Sequence, residues 1–153
     1  MKGDRTDRSI LHELQRDGPL SIVALAERVN LSESACLRRV RNLEEAGVIS
    51  GYAMIVDQAK AGLATTVFVQ ISLDRQQRED LEKFERAVAS VPEVVECYLM
   101  TGDADFLLRV VAADAADYER IHSAHLTRLP GVTRAHSSFS LRNIVKKTEL
   151  PIR

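Results

Sequence analysis

Cysteine is scarce in this chain, with only Cys36 and Cys97 among 153 residues. The two form no CxxC and no metal-ligand pattern. That excludes a disulfide framework and reads as two reduced structural thiols, one in a helix core and one in a strand. Charge of one sign is also missing: 21 Lys and Arg against 22 Asp and Glu leave a formal charge of −1, so the chain is no generally basic nucleic-acid coat. No apolar run approaches a bilayer span, and Met1-Lys2-Gly3-Asp4 leads into charged residues where a signal peptide would have its apolar core. The expectation is a cytoplasmic protein with no membrane partner. A glycine-rich phosphate loop, a nucleophile elbow and a pair of catalytic carboxylates are all absent, so neither an enzyme nor a cofactor is expected. What remains is 45% hydrophobic, enough to bury a core in one large or two small domains and too much for a disordered chain.

The most informative stretch runs from Ser21 to Ile49, SIVALAERVNLSESACLRRVRNLEEAGVI. Ser21 is placed to cap a short helix whose Leu25, Ala26 and Val29 recur at helical spacing. Asn30-Leu31-Ser32 interrupts the pattern, with Leu31 plugging the corner and Ser32 capping the next helix. There Cys36, Val40 and Leu43 make one apolar stripe. At about 100° per residue, Ser34, Arg38 and Arg41 fall on the opposite face. Gly47 is the expected stop, and Val48–Val56 reads as a short strand. An opening helix over Arg5–Arg16, with Ile10, Leu11 and Leu14 inward and Asp17-Gly18-Pro19 ending it, completes a three-helix helix-turn-helix unit of the winged type.

Such a unit presents its unpacked helix face to a major groove of double-stranded DNA. Ser32 and Ser34 supply neutral donors near the helix start, where contacts to phosphates and base edges begin. Of Arg38 and Arg41, one can grip a guanine edge bidentately and the other a phosphate. Arg39 lies at the margin, where it either joins the DNA contacts or pairs with a nearby Glu. The competing reading is a solvated arginine face on a helical head that docks a protein. Residues 1–52 carry eight basic and eight acidic side chains. DNA affinity must therefore come from local placement and from avidity between linked subunits.

The remainder divides into two similar halves. Ala64–Leu73 alternates Val67, Val69, Ile71 and Leu73 against Phe68, Gln70 and Ser72, which predicts a strand. A helix follows over Gln76–Ser90, with Leu81, Phe84, Val88 and Val91 on its buried face. Val91-Pro92-Glu93-Val94 breaks it and launches a strand over Val95–Met100. The second half repeats the order: a strand over Phe106–Ala112, and a helix over Ala115–Arg128 with Tyr118, Ile121, His125 and Leu129 inward. Leu129-Pro130-Gly131-Val132 then leads into a strand over Thr133–Arg142. Two βαβ halves make βαββαβ, a ferredoxin-like sheet with both helices on one face, so the fold class is α+β. The domains are expected at 1–52 and 63–153, joined by a connector over 53–62. The open sheet face around Phe68 needs covering by another subunit, which implies a homodimer at least.

This order of elements resembles the Lrp/AsnC family of bacterial and archaeal transcriptional regulators. LSESACLRRVRNLEEAGVI at 31–49 is similar to the family's recognition-helix segment, and TGDADFLLRV at 101–110 to its Gly-Asp-x-Asp strand-turn-strand. LPGV at 129–132 and SSFSLRNIVKKTELPI at 137–152 resemble its closing strand and tail. The resemblance spans essentially the whole chain. It implies a nucleoid-associated regulator that dimerises, assembles further into tetramers or octamers, and senses an amino acid.

An amino-acid effector needs an acceptor for its ammonium and donors for its carboxylate. Asp103 or Asp105 can supply the first; backbone N–H groups around Gly102 and the Thr101 hydroxyl can supply the second. Gly102-Asp103 is also an ordinary hairpin-turn pair, which accounts for the glycine but not for a second carboxylate beside Phe106, Leu107 and Leu108. The resemblance implies a pocket between dimers, so Met100 and Phe139 or Ser140 are the candidate side-chain selectors. His122, His125 and His136, with Asp103 or Asp105, make the one conceivable metal set; an i, i+3 His pair beside Tyr118 and Ile121 reads as packing and surface, so no metal is expected. A DNA-architectural protein without an effector shares the same fold and differs only at the Thr101–Asp105 loop.

Overall fold

The computed structural model describes residues 4–18 and 20–153, apart from the side chain of Asp17; Pro19, expected to help end the first helix, lies outside the described residues. The chain forms two compact units, Met1–Ile55 with Ile144–Arg153, and Val56–Asn143.

The helical unit contains α1 (Arg5–Asp17), α2 (Ile22–Arg28) and α3 (Glu33–Glu45). Each helix begins on a side-chain cap, an oxygen satisfying an otherwise orphaned N–H. Asp4 accepts from the Asp7 N–H at 2.9 Å, Ser21 from Ala24 at 3.2 Å and Ser32 from Ala35 at 3.3 Å. Two of the helices end alike. At the close of α2, Asn30 takes φ 54° while Leu31 N–H reaches back to the Ala26 carbonyl at 2.9 Å. At the close of α3, Gly47 takes φ 69° while Val48 N–H reaches the Leu43 carbonyl at 2.9 Å. Both are Schellman closures, and the first turns the chain directly into the Ser32 cap. Ile10, Leu11, Leu25, Ala26, Cys36, Val40 and Leu43 are buried together, with Leu14, Val29 and Leu31 packed around them.

Two expectations change here. Val48–Val56 is no strand: the chain from Gly51 on is irregular, and Tyr52, Met54, Ile55 and Val56 are exposed. A strand exists only where a neighbouring strand takes up its backbone groups, and among the described residues this segment pairs with none; its only backbone bonds there close α3, from Val48 and Ile49 to Leu43. The last ten residues, expected to belong with the sheet, join the helical unit because Ile152 packs on its apolar cluster.

The second unit is a four-stranded antiparallel sheet of β1 (Thr65–Leu73), β2 (Val94–Leu99), β3 (Phe106–Ala112) and β4 (Val132–Phe139), in the order β2-β3-β1-β4. Helices α4 (Arg78–Val88) and α5 (Ala115–Ala124) pack on one face. There Phe84 stacks on Phe106 with ring centroids 4.4 Å apart, over a core of Val67, Val69, Ile71, Leu108, Val110 and Ile121. This is the expected βαββαβ arrangement, and its opposite face carries exposed Phe68 and Tyr98 beside the Glu96–Arg109 ion pair.

The details depart from expectation where geometry outruns pattern. α5 stops at Ala124 and His125 turns off it (φ −122°, ψ −60°) into a 3₁₀ turn, Leu126–Arg128. Leu126 therefore takes the fully buried place expected of His125, which is only half-buried. β4 ends at Phe139, three residues short of Arg142. Its partner β1 begins at Thr65, and the Ser140 N–H to Thr66 carbonyl bond is the last between them.

Candidate functional site

On α3 the buried stripe of Cys36, Val40 and Leu43 fixes what faces outward: Ser34, Arg38 and Arg41 are all exposed. Ser32 Oγ lies 3.3 Å from Ser34 Oγ, so the cap and the first outward hydroxyl are neighbours at the helix start. These four side chains form one continuous polar face with the helix N-terminus at one end, where free backbone donors favour anionic groups.

Arg39 is placed differently. Its Nη1 lies 2.7 Å from Asp7 Oδ1 and 2.9 Å from Asp4 Oδ2, and the side chain is partly covered. The two carboxylates raise the guanidinium pKa further. The Asp7 backbone N–H, and then Arg39, hold the Asp4 carboxyl below its ordinary value. The partner is thus the N-terminal cap of α1 rather than the nearby Glu considered from sequence. The signal lay in Asp4 and Asp7, spaced as a cap and its third residue, but nothing local says that α3 crosses them. A second tie, Arg28 Nη1 to Glu13 Oε2 at 3.0 Å, joins α2 to α1.

In the sheet unit the Met100–Asp105 connection joins β2 to β3. Met100 N–H donates to the Asp105 carbonyl at 2.8 Å, and Asp105 N–H donates to the Ile71 carbonyl at 2.9 Å. The half-buried Asp105 carboxylate accepts from the Leu73 N–H at 2.7 Å. Asp105 thus seals the end of β1 with one oxygen and keeps the other for a further donor. Thr101, Gly102 (φ 119°) and Asp103 are exposed at the tip, and Asp103 has no side-chain partner among the described residues. Met100 is exposed beside them. Phe139 and Ser140 are not brought to this loop. Phe139 pairs with Val67, six residues back along β1 from Leu73, roughly 20 Å away at strand rise. Its ring meets Tyr118 edge-on at 5.2 Å, and the Tyr118 hydroxyl hydrogen-bonds Ser137.

Other polar groups gather less. Among the described residues no three His, Cys, Asp or Glu side chains converge as metal ligands. A cleft of about 360 Å³ between α4 and β2, lined by Val88, Val94, Leu99, Phe106, Glu85 and Cys97, had no counterpart in the sequence reading. Cys97 is exposed as a residue, yet desolvation and the Glu85 carboxylate push its thiol up to about 11, which disfavours the thiolate. Burial likewise raises the Cys36 thiol in the helical core. No helix among the described residues is long and apolar enough to cross a membrane.

Comparison with known proteins follows the same division. Residues 66–150 match the family model of the Lrp/AsnC ligand binding domain, and residues 3–50 match that of a winged helix-turn-helix DNA-binding domain. The Bkd operon transcriptional regulator of Pseudomonas aeruginosa is 42% identical over 149 residues, covering 97% of each chain. The leucine-responsive regulatory protein of Escherichia coli is 39% identical over 150 residues, covering 98% of this chain and 92% of that one. Among solved structures, a transcriptional regulator of Neisseria meningitidis in complex with L-Met superposes with a TM-score of 0.92 at 38% identity, covering 97% of this chain and 96% of the other.

Proposed function

Because this chain belongs to the Lrp/AsnC family of transcriptional regulators, we propose that α3 reads a major groove through Arg38 and Arg41, with Ser32 and Ser34 at the helix start, and that an amino acid bound at the Thr101–Asp105 loop sets its affinity for DNA. The chain is a DNA-binding transcriptional regulator with a ligand-binding domain. The observation that carries the groove assignment is the outward face of α3, where Ser34, Arg38 and Arg41 are exposed opposite a buried apolar stripe. Arg39, occupied by Asp4 and Asp7, holds α3 against α1 and contributes orientation rather than contact.

The effector is an amino acid, as the L-Met complex of the Neisseria regulator and the name of the leucine-responsive relative suggest. Its ammonium meets Asp103 and the open oxygen of Asp105, and its carboxylate meets the Thr101 hydroxyl and the backbone N–H groups around Gly102. Phe139 and Ser140 line the pocket only when a neighbouring subunit brings them. The assembly is a cytoplasmic, nucleoid-associated homodimer closed over the Phe68 face, which builds into a tetramer or octamer. Paired heads then meet half-sites about one helical turn apart, or a multiple of it. Effector binding acts by preferring one assembly over another, since only differential affinity moves such an equilibrium. It has no catalytic role.

A thermal-shift screen against the twenty amino acids tests the effector. A ligand that binds only the folded protein raises the melting temperature as its concentration exceeds its dissociation constant. One or a few amino acids are expected to do so. No shift from any of them at millimolar concentration would remove the amino-acid reading and favour the DNA-architectural one.

A further inference from the structure

The last ten residues dock on the helical unit and change its electrostatics. Gln15 grips the Leu150 backbone from both sides: its Oε1 accepts from the Leu150 N–H at 2.7 Å and its Nε2 donates to the Leu150 carbonyl at 3.4 Å. Glu149 Oε1 lies 3.1 Å from His12 Nδ1, and Ile152 packs on the apolar cluster of the three helices. Residues 149–152 are therefore anchored by the Gln15 grip, the His12–Glu149 hydrogen bond and one partly buried side chain, with no regular secondary structure.

Residues 1–55 carry eight Lys and Arg against eight Asp and Glu, whereas residues 144–153 carry three against one. All the net positive charge of this unit thus comes from its tail. Arg39 is engaged by Asp4 and Asp7, and Arg28 pairs with Glu13. Lys146 and Lys147, three and two residues before the Glu149 anchor, are exposed and have no carboxylate partner among the described residues.

We propose that the docked tail is a second DNA-contacting surface of the helical unit, with Lys146 and Lys147 lying against the phosphate backbone. This rests on the reading of α3 as the groove helix. The partner is the polyanionic backbone rather than base edges, because an ammonium on a flexible stem neutralises a phosphate without reading sequence. Two or three residues of extended chain span roughly 7–10 Å, so the anchor confines both lysines near the unit's surface instead of leaving them on a free tail. The tail supplies affinity that a neutral three-helix head lacks, while discrimination stays with α3.

The test titrates full-length wild type and the Lys146→Gln/Lys147→Gln variant against a long duplex of random sequence over a range of salt. Each lysine that displaces a counterion contributes about 0.9 to the slope of log K against log salt. The variant is expected to show a slope shallower by about 0.9 per lysine and weaker binding at fixed salt, with an unchanged melting temperature. Lys146→Arg/Lys147→Arg is expected to keep the wild-type slope. An equal slope in wild type and the Gln variant, with wild type itself salt-dependent, would overturn the tail contact and leave α3 untouched. A wild type whose binding ignores salt would overturn the DNA reading beneath it.

Discussion

In the helical unit the side chains proposed to face DNA, Ser34, Arg38 and Arg41, come from one stretch of a single helix. In the sheet unit the residues proposed around the effector come from the Met100–Asp105 connection and from the end of β4, which pairs with β1 about 20 Å away. As proposed, one site is built from neighbours in sequence within a chain, and the other draws on distant strands and a second subunit. The first is fixed by helix periodicity and caps, the second by strand pairing and assembly.

The comparison breaks most visibly if the two cores are not independent. Phe84 is fully buried and stacked on Phe106 in the sheet unit, so Phe84→Ala is expected to cost about 3–5 kcal/mol there. Calorimetry should show the sheet unit's transition falling while the helical unit, with its own apolar cluster, melts as before. A single transition that falls as a whole would mean that the division into two cores has no energetic counterpart.

Asp105 sharpens the contrast, because it is both a structural and a proposed ligand residue. Asp105→Ala leaves the Leu73 N–H without its acceptor and is expected to cost about 1–3 kcal/mol. Asp105→Asn keeps an acceptor oxygen and removes the charge. It should melt close to wild type and bind the amino acid more weakly by calorimetric titration. Equal amino-acid affinity in Asp105→Asn and wild type would reduce Asp105 to its structural bond and shift the ammonium to Asp103.

The smallest of these effects is expected at Arg39. Arg39→Ala should lower the melting temperature of the helical unit and leave the salt dependence of DNA binding as it is, because the guanidinium is already engaged by Asp4 and Asp7. Its stabilising effect also has a pH signature. Asp4 titrates below its ordinary value of 3.8 when folded, so the contribution is complete above that value and disappears as pH falls through the depressed one. Acid melting curves of wild type and Arg39→Ala should therefore converge at low pH. A slope change in DNA binding would return Arg39 to the contact surface.

The helical unit was legible in the sequence because its signals are local. Ser21 and Ser32 sit three residues before the N–H they cap, Gly47 stands where α3 must stop, and the spacing of Cys36, Val40 and Leu43 sorts inside from outside. What escaped was whatever depends on a partner far along the chain. Val48–Val56 has strand-like residues but no strand among the described residues to pair with. β4 stops at Phe139 opposite Val67, two residues short of the start of β1, and the apolar Ile152 gives no hint that it returns to α1–α3. Leu126 replaced His125 inside because one off-helix residue rotated the next turn, a change of conformation that periodicity assumes away. The Thr101–Asp105 loop was visible as an unusual pair of carboxylates, but the bond from Leu73 to Asp105 was not, since strand register creates it.

The most direct test of the account is a fluorescence-anisotropy titration of wild type, Arg38→Ala and Arg41→Ala with a duplex selected for tight binding from a random pool, against random duplex. The account predicts that at least one variant loses about 1–3 kcal/mol of discrimination between the two DNAs, while any loss confined to phosphate contact lowers both affinities alike. Unchanged affinity and discrimination in both variants would contradict it, because α3 would then not be the face that meets DNA.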